Sequence, residues 1–173
     1  MRLLRIAALL LLISFGAGCR SKEKEAILAR RAELIDLMHG NSGDADIEAA
    51  IQKSRATLGV FMEALKAPRP GQSQFLVRRE FPTETAGKRQ ILIVNDVTYD
   101  GKLIHGRLDD RTALPGSGAP RNGLVSFPPE EICDWMFNED GKAAGGYMLR
   151  VLKQKMTPKE WQSYAEKITF KEE

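Results

Sequence analysis

Thiols and imidazoles are scarce in this chain. Its 173 residues include two cysteines, Cys19 and Cys133, and two histidines, His39 and His105. A nucleophilic thiol needs a base in reach and a third group to orient that base. Only His105 is placed to serve Cys133, because His39 falls at the end of a helical pattern, where a cation is favourable in any case. The neighbouring Asp134 would raise the Cys133 thiol pKa, so the plainer role for Cys133 is a small buried hydrophobe. The carboxylates divide among helix starts (Asp44, Asp46, Glu48), turns (Asp109, Asp110, Asp140) and the Glu130-Glu131 pair. None has the spacing of a calcium loop, and no cysteine, histidine and carboxylate cluster reads as a zinc site. The phosphate loop, the dinucleotide fingerprint and the Gly-x-Ser-x-Gly elbow are all absent. No catalytic residue, metal or cofactor is therefore assigned. A hydrolase-like enzyme using Cys133 with His105, or carboxylates assembled in space, is the alternative to carry forward.

What remains is surface for binding. Trp135, Met136, Phe137 and Tyr147 either pack in the core or present a partner surface, and aromatic residues and methionine suit the second role. Residues 109–123 hold three glycines and two prolines and read as a long loop. That loop, with Arg111, and the neighbourhood of His105, Asp134, Trp135, Met136 and Tyr147 form the candidate contact surface. The basic points Arg78-Arg79, Arg150, Lys153, Lys155 and Lys159 have few aromatics between them, so nucleic acid is not an expected partner.

Cys19 carries chemistry of another kind. Arg2 and Arg5 open the chain, residues 6–15 are apolar except Ser14, and Gly16-Ala17-Gly18 precede the cysteine. The apolar run is about half of the roughly twenty residues a spanning helix needs, so residues 1–18 read as an export signal. Small residues before a cysteine resemble the lipobox of bacterial lipoproteins, although Gly16 stands where that box usually has leucine. The resemblance implies a thiol carrying a diacylglyceryl group at a new amino terminus and a lipid bilayer as partner. Because Arg20 follows, it also implies the outer membrane, facing the periplasm. An envelope protein is a second possible partner. Arg2 and Arg5 are two of 26 basic side chains; without them 24 face 23 acidic ones, too even a balance to hold a protein on an anionic surface.

These groups must be positioned by the rest of the chain. Residues 20–25 are charged and read as a spacer. Ile27, Leu28, Leu34, Ile35 and Met38 recur at helical spacing, with Gly40 as a stop. Asp44 can cap a second helix, whose face holds Ile47, Ile51, Ser54, Leu58, Phe61 and Leu65, and which Pro68 and Pro70 end. Strands follow at Phe75 to Val77 with Phe81, at Gln90–Tyr99, at 102–108 after the Asp100-Gly101 turn, at Leu124–Phe127 and at 146–152. Residues 130–137 read as a short connecting turn or helix. Thr157-Pro158-Lys159-Glu160 has the spacing of a capping box, opening a last helix that buries Trp161, Tyr164, Ala165 and Ile168. The class is α+β: a bent antiparallel sheet of about five strands, covered on one face by N-terminal and C-terminal helices. The organisation is a signal at 1–18, a membrane-proximal spacer and helix at 19–43, and a domain at 44–173.

Three blocks resemble a bacterial family of unknown function, the YegJ-like proteins (DUF2314). They are Asp96 to Gly106, then Val125 to Ile132 with Asp134-Trp135-Met136, then Gly141-Lys142, Gly145-Gly146-Tyr147 and Arg150-Val151-Leu152. Asp-Trp-Met followed by Gly-Gly-Tyr is the most specific part. The loop at 109–123 departs from the family's usual short link. The resemblance implies a compact α+β domain and no particular activity. The expected function is a membrane-anchored envelope lipoprotein with a non-catalytic binding domain.

Overall fold

The structure, a computed structural model, describes residues 15–41, 43–84, 86–109, 123–165 and 167–172, with side chains from residue 22 onward. Two compact units part between Ile35 and Asp36. Helix α1, Phe15–Met38, runs through the stretch expected as a spacer. Lys, Glu and Ala are good helix formers, so a charged segment need not be irregular. Within the first unit Arg30 pairs with Glu33 at 2.9 Å, and Ile27 and Leu28 are exposed. Among the described residues no helix is long and apolar enough to cross a membrane.

The second unit begins at the end of α1, where His39 is buried and its Nδ1 lies 3.1 Å from the Ile91 carbonyl oxygen. Asp44 caps α2, Ala45–Ala56, accepting from the amides of Asp46 and Ile47 at 3.0 and 3.3 Å. The expected single helix is two, because Thr57 leaves the helical path and its hydroxyl donates back to the Lys53 carbonyl at 2.9 Å. Its backbone closes α2 and opens α3, Leu58–Lys66. A β-branched residue that bonds the preceding turn favours such a break.

Six strands follow, one more than expected: β1 (Gln72–Phe81), β2 (Gln90–Tyr99), β3 (Ile104–Leu108), β4 (Leu124–Phe127), β5 (Ile132–Glu139) and β6 (Lys142–Gly145). They form one antiparallel sheet in the order β4-β3-β2-β1-β5-β6. Asp96 adopts a left-handed backbone (φ 52°) where the β2–β3 register shifts, and Gln74 (φ 54°) does so where β1–β5 shifts. Such bulges bend a sheet.

Two expected elements exchange type. Residues 130–137 are not a turn: a short 3₁₀ segment, Pro129–Glu131, leads directly into β5. Residues 146–152 are not a strand: they open α4, Tyr147–Lys155, followed by α5, Pro158–Ala165. The capping box at the head of α5 is made in both directions, Thr157 N to Glu160 Oε2 at 2.7 Å and Glu160 N to Thr157 Oγ1 at 3.3 Å.

Helices flank the sheet on both faces, not on one. Cys133, Trp135 and Phe137 alternate toward α2 and α3, where Trp135 Nε1 donates to the Ser54 carbonyl at 3.0 Å. Phe61, Trp135, Phe137 and Tyr147 build an aromatic core there, with centroid separations of 5.7 to 6.5 Å. Asp134 and Met136 point to the other face, toward Tyr164 and Ala165 of α5.

Candidate functional site

Arg78 and Asp134 are direct cross-strand neighbours on β1 and β5. They share that second face with Ile93, which pairs Arg78 on its other side. Both are buried, Arg78 to 5% exposure and Asp134 to 2%. Burying two charges is costly unless each is paired and hydrogen-bonded.

The two are compensated unequally. Asp134 Oδ1 accepts from the amides of Trp135 and Tyr147, and Oδ2 from that of Met148, all at 3.1 Å. Gly146, the residue at the cap position of α4, has no side chain to offer those amides, so the carboxylate supplied by β5 caps the helix instead. A side chain at Gly145 (φ 74°) would collide with the Trp135 carbonyl and indole, which fixes the tight turn between β6 and α4. Burial pushes the Asp134 carboxyl up to about 6, against the opposing pull of the Arg78 charge and the three amides. Arg78 has less support. Among the described residues its one side-chain hydrogen bond runs from Nη2 to the Tyr164 hydroxyl at 3.2 Å. A guanidinium carries five N–H donors.

Arg78, Asp134 and Tyr164 converge on a cleft of about 360 Å³, whose walls are otherwise mostly apolar, among them Leu76, Met136, Leu149 and Ile168. A larger cleft of about 440 Å³ near the β5–β6 hairpin is a weaker candidate. Its charges satisfy one another: Glu139 takes Arg69 at 3.0 Å, Gln72 at 2.7 Å and Lys171 as well. An apolar cleft with a few convergent polar groups is the usual form of a small-molecule site.

The remaining sequence candidates are dispersed. Trp135 and Tyr147 are core residues, so the partner-surface role considered for them meets buried side chains. Met136 is half-buried on the cleft wall. Arg111 and most of the 109–123 loop lie outside the described residues. Cys133 is buried, and burial pushes its thiol pKa up. It sits on β5, with β1 and β2 between it and His105 on β3, so these two do not meet. Among the described residues no three potential metal ligands cluster.

His105 has unexpected company. Its Nδ1 lies 2.8 Å from Ser126 Oγ on β4, and its Nε2 lies 2.8 Å from Asp100 Oδ2. Serine, histidine and carboxylate thus stand in a hydrogen-bonded row. The row is open to water, with the His105 side chain 40% and the Asp100 side chain 49% exposed. Asp100 Oδ1 also closes the hairpin turn by accepting from the amides of Lys102 and Leu103 at 2.8 and 2.7 Å. The Leu103 amide, then His105 and the Lys102 amide, hold the Asp100 carboxyl well below the usual carboxylate range. Ser126 escapes a reading of sequence spacing, because cross-strand register alone brings it opposite His105. Arg78 escaped too, read only as one of several basic points without interleaved aromatics.

An antiparallel sheet of six strands flanked by helices, with a cleft over a buried charged pair, defines a small α+β domain. The family described as an uncharacterized protein conserved in bacteria, DUF2314, matches residues 44–171, and the chain belongs to that family. No curated protein and no solved structure matches it.

Proposed function

We propose that this chain is an exported lipoprotein, anchored through acylated Cys19 on the periplasmic side of the outer membrane, whose DUF2314 domain binds a small ligand without transforming it. The anchor rests on the order of Arg2 and Arg5, the apolar run and Gly-Ala-Gly-Cys. The binding role is carried by one observation, the mostly apolar cleft on which Arg78, Asp134 and Tyr164 converge. Leu149→Trp fills that cleft from its α4 wall. Native mass spectrometry of protein taken from membranes should show a bound small molecule that Leu149→Trp lacks. Both proteins appearing at their own adduct-free masses would remove the binding role.

The Ser126–His105–Asp100 row favours a second reading, a hydrolase with Ser126 as nucleophile and His105 as base. Treatment with a fluorophosphonate separates the two. In a working triad the Ser126 oxygen attacks phosphorus, fluoride leaves, and His105 takes the hydroxyl proton. Labelling at Ser126 that His105→Ala abolishes would establish the hydrolase; unlabelled serine leaves the row as a fastening between β3, β4 and the turn.

A further inference from the structure

Resting on the binding reading above, we infer that the cleft under α5 takes an amphipathic monocarboxylic acid, its carboxylate held by the Arg78 guanidinium and its apolar body lying along Leu76, Met136, Leu149 and Ile168. Four features of the cleft lead there.

The first is an imbalance of donors and acceptors. Asp134 has three amide donors on its two oxygens, two of them from the head of α4, so its acceptors are already engaged. Arg78 spends one of five N–H groups, on a neutral hydroxyl. The unfilled valence in the cleft is therefore donor valence, and the group that fills it must bring acceptors.

The second is accessibility. The buried side-chain nitrogens and oxygens left without a hydrogen-bond partner among the described residues do not include any atom of Arg78. Its unused N–H groups are thus not sealed in the core, and Arg78 lines the cleft. A cation that is largely desolvated and opens on a cavity binds an anion far more strongly than an exposed one does.

Geometry supplies the third. Arginine presents a planar fork that matches the two oxygens of a carboxylate. The Tyr164 hydroxyl, bound to Nη2 at 3.2 Å, adds a donor beside it. Asp109 and Asp134 also line the cleft, and two carboxyl groups disfavour a dianionic head. A single negative charge fits, with one face of apolar wall for everything else.

The fourth is the shallow seating of the wall that must admit such a ligand. Helix α5 supplies Tyr164 and Ala165 to the cleft, yet none of its residues is buried. Its position depends on its capping box and on the segment after it, which is pinned where Ala143 N donates to the Thr169 carbonyl at 2.7 Å. A wall with no buried side chain can move aside at small cost.

The test compares head groups on one chain length. Octanoate carrying ¹³C at the carboxyl, 1-octanol and octylammonium are titrated against the full chain held in phosphatidylcholine nanodiscs, with empty nanodiscs as blank. Octanoate should bind saturably and at least about tenfold more tightly than 1-octanol, the effect of one charge-assisted hydrogen-bonded pair. Octylammonium should bind no better than 1-octanol, and Arg78→Met should erase the preference. If wild-type protein binds all three alike, or prefers the ammonium, the acid is the wrong ligand class while the cleft remains a binding site. If none of the three binds, the binding reading itself falls. The head-group comparison is made on wild-type protein, so it stands even if Arg78→Met does not fold.

Discussion

Asp134 shows how much one side chain can decide. It starts α4, sits beside Arg78 and borders the cleft, all from the middle of a strand. The groups facing it are Arg78 from β1, the Tyr164 hydroxyl from α5, Asp109 on the cleft wall and the first amides of α4. Burial raises its folded-state pKa to about 6, above the value near 4 of an unfolded chain. The folded state therefore holds the proton more tightly. The resulting stabilisation is complete below the unfolded value and is lost as pH rises through about 6. Acidification from pH 7 to pH 5 should thus stabilise the protein by about 1 kcal/mol through this residue. The depressed carboxyl groups Asp44, Asp100 and Glu139 act in the opposite sense, their stabilisation being lost as pH falls through and below the ordinary carboxylate range. Urea unfolding at pH 5 and pH 7 should show the gain in the wild type and its absence in Asp134→Asn. An equal gain in the variant would place the titration elsewhere.

Among the elements, the local signals that held were those made by near neighbours. The Asp44 cap, the Asp100-Gly101 turn and the Thr157–Glu160 box each stand as their spacing implies. The two elements that changed type carried legible signals that competed with stronger-looking ones. Cys133, Trp135 and Phe137 alternate as a strand requires, but the preceding Pro128-Pro129 and Glu130-Glu131 suggested a turn. Met148, Leu149 and Leu152 have helical spacing with Lys153 and Lys155 in the last turn, but Val151 and the glycines before Tyr147 read as strand and hairpin. The cleft was not legible at all, because it depends on which residues of β1 and β5 lie opposite each other, and a one-residue slip would send Arg78 to the other face. The loop at 109–123 gives a prediction at this scale. Its ends are held by the sheet, with Leu108 N donating to the Gly123 carbonyl at 2.6 Å and Arg107 opposite Leu124. Deleting residues 112–121 should move the thermal transition only slightly, since such a shortening changes closure entropy by about 1 kcal/mol. A collapse of the transition would show that the loop packs as part of the fold. Glu160→Ala should be modest as well, costing about 1 kcal/mol by loss of half the capping box, with the change confined to hydrogen exchange in α5.

At the scale of the whole molecule, the proposed anchor at Cys19 has to account for a domain of nearly balanced charge staying at a membrane. Without Arg2 and Arg5, 24 basic side chains face 23 acidic ones, so electrostatic adhesion offers little. Such adhesion is also screened at high salt, where the Debye length shrinks to about 3 Å at 1 M. Acyl chains behave differently: each buried CH₂ contributes about 0.8 kcal/mol, and two or three chains together hold almost irreversibly and without regard to salt. Membranes washed with 1 M salt should therefore retain the protein, and detergent should release it. The first residue of the released chain should be Cys19, its sulfur carrying a diacylglyceryl thioether by mass spectrometry. Cys19→Ser removes the acceptor thiol and should abolish that modification, while the pH 5 to pH 7 stability difference set by Asp134 stays as it was. Release by salt alone, or an unmodified thiol at position 19, would instead make the domain a freely diffusing binder.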